Sequence, residues 1–414
     1  MNKDILVIGG GISGMTAAIE AAECGLTVHL VEKESYLGGR VSRMNKYFPK
    51  LCPPYCGMEI NFRRLRINPR VKILTLSEVT NVSGGKGNYK VSVKTNPRYV
   101  NNKCVACDDC VKVCPESRSN DFNYGMNDTR AIYLPHQMAM PMKYVIDMGA
   151  CKGSSCNECV VVCKYDAIDL AMPASETTIE VGAIIYATGW KPYDASRIEN
   201  LGYGKIKNVV NNVEMERIAA PTGPTEGKIL RRDNGQPVSR VAFVQCAGSR
   251  DENHLPYCSS ICCLVSLKQA TYVREQYPDS EVTIFYIDLR APGKYEAFYK
   301  KVEGDPKVSL VKGKVAKIEE NSDGSVLVTA EDILGGRKVH QEFDLVVLAT
   351  GMAPSGAGSQ PMAPLDENGF IALDPYNETG VVAAGVARQP FDVTSSIQDS
   401  TSAALKAIQA GVTR

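Results

Sequence analysis

Asp4-Ile5-Leu6-Val7-Ile8-Gly9-Gly10-Gly11-Ile12-Ser13-Gly14 is the stretch whose reading decides the fold. Its apolar run reads as a buried parallel strand, its glycines as a tight turn, and the apolar-periodic residues that follow, through Cys24, as a helix. A second strand over Thr27 to Val31 ends on Glu32. GxGxxG with an acidic residue about 20 positions on, in a strand–turn–helix–strand context, marks a dinucleotide-binding unit. Gly9 permits the turn, Gly11 lets the backbone approach a pyrophosphate, and Gly14 lets helix and strand close up. The helix start at Ile12 and Ser13 favours the anion, and Glu32 is placed for ribose hydroxyls.

Working outward, Lys33-Glu34-Ser35-Tyr36-Leu37-Gly38-Gly39-Arg40 resembles the second glycine turn of the glutathione-reductase class of flavoproteins. Ala183-Ile184-Ile185-Tyr186-Ala187-Thr188-Gly189 and Leu345-Val346-Val347-Leu348-Ala349-Thr350-Gly351 resemble its strand-ending ATG element. Thr379 to Gly385 resembles the strand that ends beside the flavin, with a helix after Thr394 aimed at the ring. The resemblance implies FAD, held by Gly9, Gly11, Ile12, Ser13, Gly14, Glu32, Lys33, Gly38, Gly39, Arg40, Val79, Ala187, Thr188, Gly189, Gly385, Thr394 and Ser396. Where the class has an aspartate after the last glycine, Val386 stands here.

Eight of the fifteen cysteines fall in two tetrads. Cys104, Cys107, Cys110 and Cys114 read CxxCxxCxxxC and are followed by Pro115; Cys151, Cys156, Cys159 and Cys163 read Cx4CxxCxxxC, with Lys164 in place of the proline. Zinc sites separate two CxxC pairs by a longer loop, and disulfides are scarce in reducing compartments. Two [4Fe–4S] clusters fit the spacing better. In two-cluster ferredoxins the fourth cysteine of each run crosses to the other cluster. With that crossover, Cys104, Cys107, Cys110 and Cys163 hold one cluster, and Cys151, Cys156, Cys159 and Cys114 the other.

The fold class expected is α/β: a glutathione/thioredoxin-reductase-like flavoprotein of two dinucleotide domains with an inserted 2[4Fe–4S] ferredoxin module. The FAD domain takes residues 1–98, 173–199 and 343–414, the two-cluster module 99–172, and a second α/β unit 200–342. In that second unit the strand Val241 to Gln245 should be followed by another GxGxxG. Cys246-Ala247-Gly248-Ser249-Arg250 stands there instead, then a loop to Cys258, Cys262 and Cys263 opening a helix. Without glycines in register the backbone cannot approach a pyrophosphate, which argues against nicotinamide binding. The four thiols read either as buried free cysteines or as cluster ligands at a helix start; adjacent Cys262-Cys263 matches no common ferredoxin run.

The succession of GGR, Phe48-Pro49, Cys52/Cys56, the ferredoxin insertion, Gln245 to Asp251 and Tyr257 to Cys263 resembles the A subunit of heterodisulfide reductase, over nearly the whole chain. In its short form the chain is similar to the A subunit of the quinone-interacting membrane-bound oxidoreductase of sulfate reducers. This resemblance implies a third [4Fe–4S] cluster on Cys246, Cys258, Cys262 and Cys263. As partners it implies adenylylsulfate reductase, a haem-bearing membrane C subunit, and a related B subunit. Cys52 and Cys56 read as a structural or flavin-adjacent thiol pair, because two prolines break the helix that a CxxxxC redox pair needs.

A net charge of +1 with 22% charged residues offers no field for nucleic acid or lipid. No signal peptide and no apolar run of about 18 residues stands out, so the expectation is a cytoplasmic chain, peripherally membrane-associated through partner subunits. No nucleophile–base–orienter set is visible, and no catalytic residue is assigned. The reading is an electron-transfer flavoprotein subunit linking the quinone pool to a soluble acceptor in sulfate respiration. The alternatives are an NAD(P)H-dependent disulfide reductase and a flavin-bifurcating subunit of heterodisulfide-reductase type.

Overall fold

The opening apolar run forms β1 (Ile5–Ile8), and the glycine turn delivers the chain into α1 (Ile12–Glu23) and back along β2 (Val28–Glu32). The computed structural model describes residues 3–47, 51–356, 363–372 and 374–412; Phe48 and Pro49 lie outside them. β1 and β2 pair in parallel with Ile5 opposite Val28, as befits strands apolar on both faces. Cys24 caps α1, and Gly25 at φ +92° turns the chain away, a left-handed position that glycine takes without a Cβ penalty.

α2 (Tyr55–Ile67) leads into β3 (Val71–Thr75), and β4 (Ser77–Gly85) with β5 (Asn88–Thr95) forms a hairpin. The inserted module follows: α3 (Asp109–Val113), β6 (Ser117–Ser119), β7 (Asp128–Arg130), β8 (Ile132–Tyr133), β9 (Val145–Ile146) and α4 (Glu158–Val162). A bridge between Val100 and Ile168 closes its base, and its small core gathers Val100, Ile132, Tyr144 and Ile146 around the cysteines. β10 (Ser175–Val181) then returns antiparallel onto β5, and β11 (Ala183–Tyr186) slots beside β1.

β12 (Trp190–Pro192) leaves the first unit for the second. There the chain runs through β13 (Val209–Asn211), α5 (Asn212–Ala219), β14 (Arg240–Ala247), α6 (Cys262–Gln276), β15 (Glu281–Tyr286), α7 (Glu296–Glu303) and β16 (Val308–Lys312). Next come the meander β17 (Val315–Glu320), β18 (Val326–Asp332) and β19 (Arg337–Phe343), then β20 (Leu345–Thr350) and β21 (Met352–Pro354). β22 (Val381–Ala383) and α8 (Val393–Val412) complete the first unit.

Two five-stranded parallel sheets result, ordered β22-β11-β1-β2-β3 and β13-β20-β14-β15-β16. Helices cover one face of each and three antiparallel strands the other. In the first unit, Ala17, Ala18, Ala403, Ala404 and Ala407 are buried in one cluster, and such small side chains let α1 and α8 approach closely. The expectation that 343–414 belongs wholly to the FAD domain is corrected here. β20 pairs with β14, Val241 opposite Leu345, and so belongs to the second sheet. The chain recrosses only at β21, which pairs with β12.

Where the three units meet, Arg217 from α5 is 1% exposed. Its Nε donates to Asn123 Oδ1 at 2.8 Å and its guanidinium lies 4.7 Å from the Phe122 ring centre. His136 stacks on the same ring, centroids 4.7 Å apart, with its Nε2 buried and unpartnered. Burial first, then the charges of Arg217 and Arg43, push this imidazole down to about 4. The unfolded chain binds that proton below its ordinary value of about 6.5. Between those limits the unfolded state carries more protons, so stability falls as pH drops. Denaturant unfolding is expected to show a loss of a few kcal/mol from about pH 6.5 to about pH 4. His136→Phe, which keeps a flat ring in the stack, should flatten that slope.

Candidate functional site

The turn at Gly9 opens onto a cavity of about 570 Å³ at the carboxyl ends of β1 and β2, the edge where parallel α/β sheets bind ligands and a volume in the range of small-molecule sites. Gly9, Gly11, Ile12, Ser13, Glu32, Lys33, Gly39, Arg40, Val79, Ala187, Thr188, Gly189 and Ser396 all line it. The glycine turns explain themselves sterically. Gly9 has φ +107°, and a Cβ there would lie 2.3 Å from Ala187 O. A Cβ on Gly14 would stand 1.8 Å from Gly9 O, so this residue sets the approach of helix and strand. Gly11 differs, since its added Cβ would meet only Gly39 Cα, at 4.0 Å. That open space beside the start of α1 is where a pyrophosphate fits.

Gly11→Val is therefore expected to fill the cradle while leaving the fold intact. Purified variant should lose FAD by more than tenfold relative to protein, with an unchanged far-UV spectrum. A β-branched side chain is also disfavoured at a helix start only mildly, so unfolding should not intervene.

Four of the expected residues do not line the cavity. Gly14 faces the Gly9 turn. Gly38 donates its N–H to Gly10 O at 2.8 Å, and Gly385 backs onto Ser13 Oγ, which a Cβ would meet at 2.0 Å. Thr394 falls on α8, which begins at Val393, while its neighbours Asp392 and Val393 reach the cavity instead. Asp392 Oδ1 accepts the Ser395 N–H at 2.6 Å and so caps that helix.

Glu32 is buried, and its carboxylate accepts the N–H of Gly10 at 2.6 Å and of Glu34 at 2.7 Å. Burial raises its carboxyl above the usual range, and the two amides oppose this. Arg40 Nε donates to Trp190 O at 2.6 Å with its guanidinium 4.9 Å from the Trp190 ring centre. Gly385 N–H donates to Asp399 Oδ2 at 2.8 Å, and Asp399 pairs with Arg388; this carboxylate on α8 stands behind the position where Val386 replaces the usual aspartate.

The far wall comes from the second unit. Ile261, Leu264, Val265 and Lys268 line the cavity at the i, i+3, i+4, i+7 spacing of one helix face. Lys268 is 3% exposed; its Nζ lies 2.9 Å from Glu216 Oε1 and donates to Lys46 O at 2.6 Å. Glu216 also accepts from Gln269 Nε2 at 2.7 Å, Asn45 N at 3.0 Å and the Tyr272 hydroxyl at 3.2 Å. Lys268, Glu216 and Asp392 were not expected from the sequence. The apolar stripe of α6, with one lysine in it, is the signal that points to Lys268.

In the module, Cys104, Cys107, Cys110 and Cys163 ring one small cavity, and Cys114, Cys151, Cys156 and Cys159 ring another. Each ring thus draws one sulfur from the other tetrad. Ala106, Asp108 and Asn157 between these cysteines hold left-handed φ values of +57°, +71° and +57°, local strain of the kind that marks functional loops. The Gly153 N–H points at Cys151 Sγ at 3.3 Å and the Ala167 N–H at Cys163 Sγ at 3.4 Å. Burial, then Cys104 and Cys107, push the Cys110 thiol up to about 12; burial, then Cys151, Cys114 and Cys156, push Cys159 up to about 11. Among the described residues no group of three or more Cys, His, Asp or Glu is placed to hold a metal ion.

Cys246, the last residue but one of β14, has φ +56°, Arg250 and Ser260 are also left-handed, and Cys262 and Cys263 open α6. The expectation that Cys258 shares the helix start is corrected: it lies in the loop before, accepting the Ser260 N–H at 3.4 Å. Cys262 Sγ lies 3.8 Å from Thr350 O at the end of β20, and Cys263 Sγ 3.4 Å from Asp288 O past the end of β15. The thiols therefore occupy the carboxyl edge of the second sheet, where a nucleotide phosphate would lie. Burial raises Cys262 furthest, followed by the charges of Cys246, Cys263 and Cys258. Gly248 closes the same turn, and a Cβ there would meet Tyr193 at 2.5 Å. Cys56 is the second residue of α2, and Cys52 precedes the helix. Burial, then a hydrogen bond to Cys52, raises the hydroxyl of Tyr47, and Tyr47 lines the large cavity.

Residues 4–55 match the family model described as FAD dependent oxidoreductase. The chain is 38% identical over 423 residues to the A subunit of the ferredoxin/F(420)H(2)-dependent CoB-CoM heterodisulfide reductase of Methanosarcina acetivorans, covering 99% of this chain and 53% of that protein. It is 37% identical over 429 residues to the first of two iron-sulfur A subunits of the CoB--CoM heterodisulfide reductase of Methanopyrus kandleri, covering 98% and 64%. The chain thus spans about half to two thirds of the length of the curated relatives it matches. Thioredoxin reductase of Lactococcus lactis shares the fold, with a TM-score of 0.54, 16% identity and 99% of each chain covered. The α/β class and the thioredoxin-reductase-like pairing of two dinucleotide-type units are those expected. Among the described residues no helix is long and apolar enough to cross a membrane.

Proposed function

We propose that this chain is the FAD- and iron–sulfur-bearing subunit of a larger oxidoreductase, converting between paired and single electrons. One observation carries the reading: two crossed rings of four sulfurs and a third thiol set adjoin a flavoprotein fold whose second phosphate site is filled by cysteine. Bound FAD supplies two-electron chemistry and iron–sulfur clusters supply one-electron transfer. The protein's own part is to hold and insulate. The Gly9–Gly11 turn and the start of α1 cradle the pyrophosphate, Glu32 takes the ribose, and Lys268, paired with Glu216, lines the cavity wall. The FAD domain is assigned β1–β5, β10, β11, β22 and α8, and the three clusters the sulfur sets above.

For the assembly we propose a haem-bearing membrane C subunit together with a related B subunit, with adenylylsulfate reductase receiving electrons and the quinone pool at the other end. Peripheral membrane attachment then comes through the haem-bearing membrane protein. A second reading is favoured by the relatives, whose names carry heterodisulfide, ferredoxin and F(420)H(2): a flavin-bifurcating subunit of a heterodisulfide-reductase-type complex. Affinity isolation from the native host separates them, a haem-bearing membrane protein supporting the first and heterodisulfide or hydrogenase subunits the second. Both expect that NADH alone leaves the flavin absorbance unbleached; rapid bleaching without partners would support an NAD(P)H-dependent disulfide reductase instead.

A further inference from the structure

Among the described residues Arg98 is a buried cation that meets no carboxylate. It is 9% exposed, and its guanidinium donates only to neutral oxygens: Ser35 O at 2.5 Å, Thr75 Oγ1 at 2.9 Å and Lys143 O at 3.5 Å. It borders a cleft of about 840 Å³ between the first unit and the module, whose only charged lining residues are Arg66, Arg98 and Lys143. Lys143 Nζ donates to the amide oxygen of Asn102. Leaving a charge buried and uncompensated costs several kcal/mol, so a counter-charge is owed from outside the protein's carboxylates.

The geometry says where it lies. Val100 lines both this cleft and the cavity ringed by Cys104, Cys107, Cys110 and Cys163, and Tyr144, next to Lys143, lines that cavity too. Val100 and Tyr144 thus connect the cleft lined by Arg98 and Lys143 to the cavity of these sulfurs. The charge relations agree: burial lowers both cations, and Cys104 raises both. The other ring has no such neighbour, since its cavity is lined by Glu116, Lys152 and Glu158, and Lys152 is exposed and already paired with Glu116 at 2.5 Å. Asp108, which accepts the Tyr144 hydroxyl at 2.6 Å, is exposed, so water screens it more than it screens Arg98, and Asp109, which lines the same cavity, is already paired with Lys112 at 3.2 Å.

We propose that Arg98, backed by Lys143, is the counter-charge of the iron–sulfur centre on Cys104, Cys107, Cys110 and Cys163 and sets it at a higher reduction potential than the centre on Cys114, Cys151, Cys156 and Cys159. This rests on the cluster reading above. A cation in a low-dielectric setting favours the form carrying one more electron. Arg98 is a positioning residue, since it touches no reacting atom.

The test is an EPR-monitored dithionite titration of the anaerobically reconstituted full chain, with signals assigned by Cys107→Ser and Cys156→Ser. Arg98→Met is expected to shift the reduction equilibrium of the Cys107-dependent signal at least tenfold toward the oxidised form, 59 mV for one electron. The Cys156-dependent signal should stay, Arg98→Lys should keep most of the native value, and Lys143→Met should give a smaller shift of the same sign. Should Arg98→Met not fold, the Arg98→Lys and Lys143→Met pair still decides. Signals that are present but unmoved, or moved equally, overturn the proposal alone. A native potential that follows added inorganic phosphate, lost in Arg98→Met, overturns it in favour of an anion site in the cleft. A native chain with no cluster signal removes the underlying reading as well.

Discussion

Cys114→Ser is expected to remove about four irons per FAD, and the centre lost should be that of Cys151, Cys156 and Cys159 rather than that of its own run. The cause is the crossing in the module: Cys114 and Cys159 share one cavity, while Cys163, from the later run, faces Cys104, Cys107 and Cys110. Pairwise combination makes the result unambiguous. Cys114→Ser with Cys156→Ser should lose no more iron than either alone, because both strike one centre. Cys114→Ser with Cys107→Ser should lose about eight. If the first pair is the additive one, each tetrad holds its own cluster and the crossed arrangement is wrong.

The largest effect on stability is expected from Lys268→Met. The variant removes the cation from a pair in which Lys268 and Glu216 side chains are 4% and 7% exposed, leaving the carboxylate buried and uncompensated. Breaking such a pair costs about 3–5 kcal/mol, whereas replacing both partners by neutral groups of similar shape is often near neutral. Lys268→Met should thus unfold at clearly lower denaturant, and Glu216→Gln added to it should recover most of the loss. The recovery is aided because Asn45 and Tyr272, which both donate to Glu216 Oε2, can find the amide oxygen in its place. A single variant as stable as the native chain would mean that the pair is not desolvated. Since α5 and α6 belong to the second unit and Lys46 and Asn45 to the first, this network also fixes how the two close over the cavity.

Much of the first unit was legible because its signals are local. Ile5–Ile8, the glycine turn and Val28–Glu32 lie within 28 residues and form the strand–turn–helix–strand unit read from them. Ala183–Tyr186 and Val381–Ala383 also joined the first sheet, beside β1 and at its edge. Leu345–Thr350 did not, although it ends in the same Ala-Thr-Gly as the earlier strand. Strands buried on both faces of parallel sheets look alike in sequence, and the choice of sheet is made by a partner about 100 residues away, Val241 opposite Leu345.

The site divides along similar lines. The tetrad spacing carried both rings, because short loops leave thiols little freedom, and the ferredoxin analogy supplied the crossing. Glu216 and Lys268 sit on helices where a charge ordinarily reads as a solvated face. Only their meeting across 52 residues makes them a buried pair. Asp392 was passed over for Thr394, since the helix starts at Val393 rather than after Thr394. The third thiol set was the least legible of the three, because Cys258 lies in the loop and Cys262 and Cys263 in the helix, so no single repeat describes them.

Counting iron, acid-labile sulfide and flavin in one anaerobically reconstituted preparation tests the central claim most directly. Three sulfur sets beside one flavin cavity should give about twelve irons and about twelve sulfides per FAD. Bound flavin with zinc but no labile sulfide, or a flavin-loaded chain that takes up no iron at all, would contradict it.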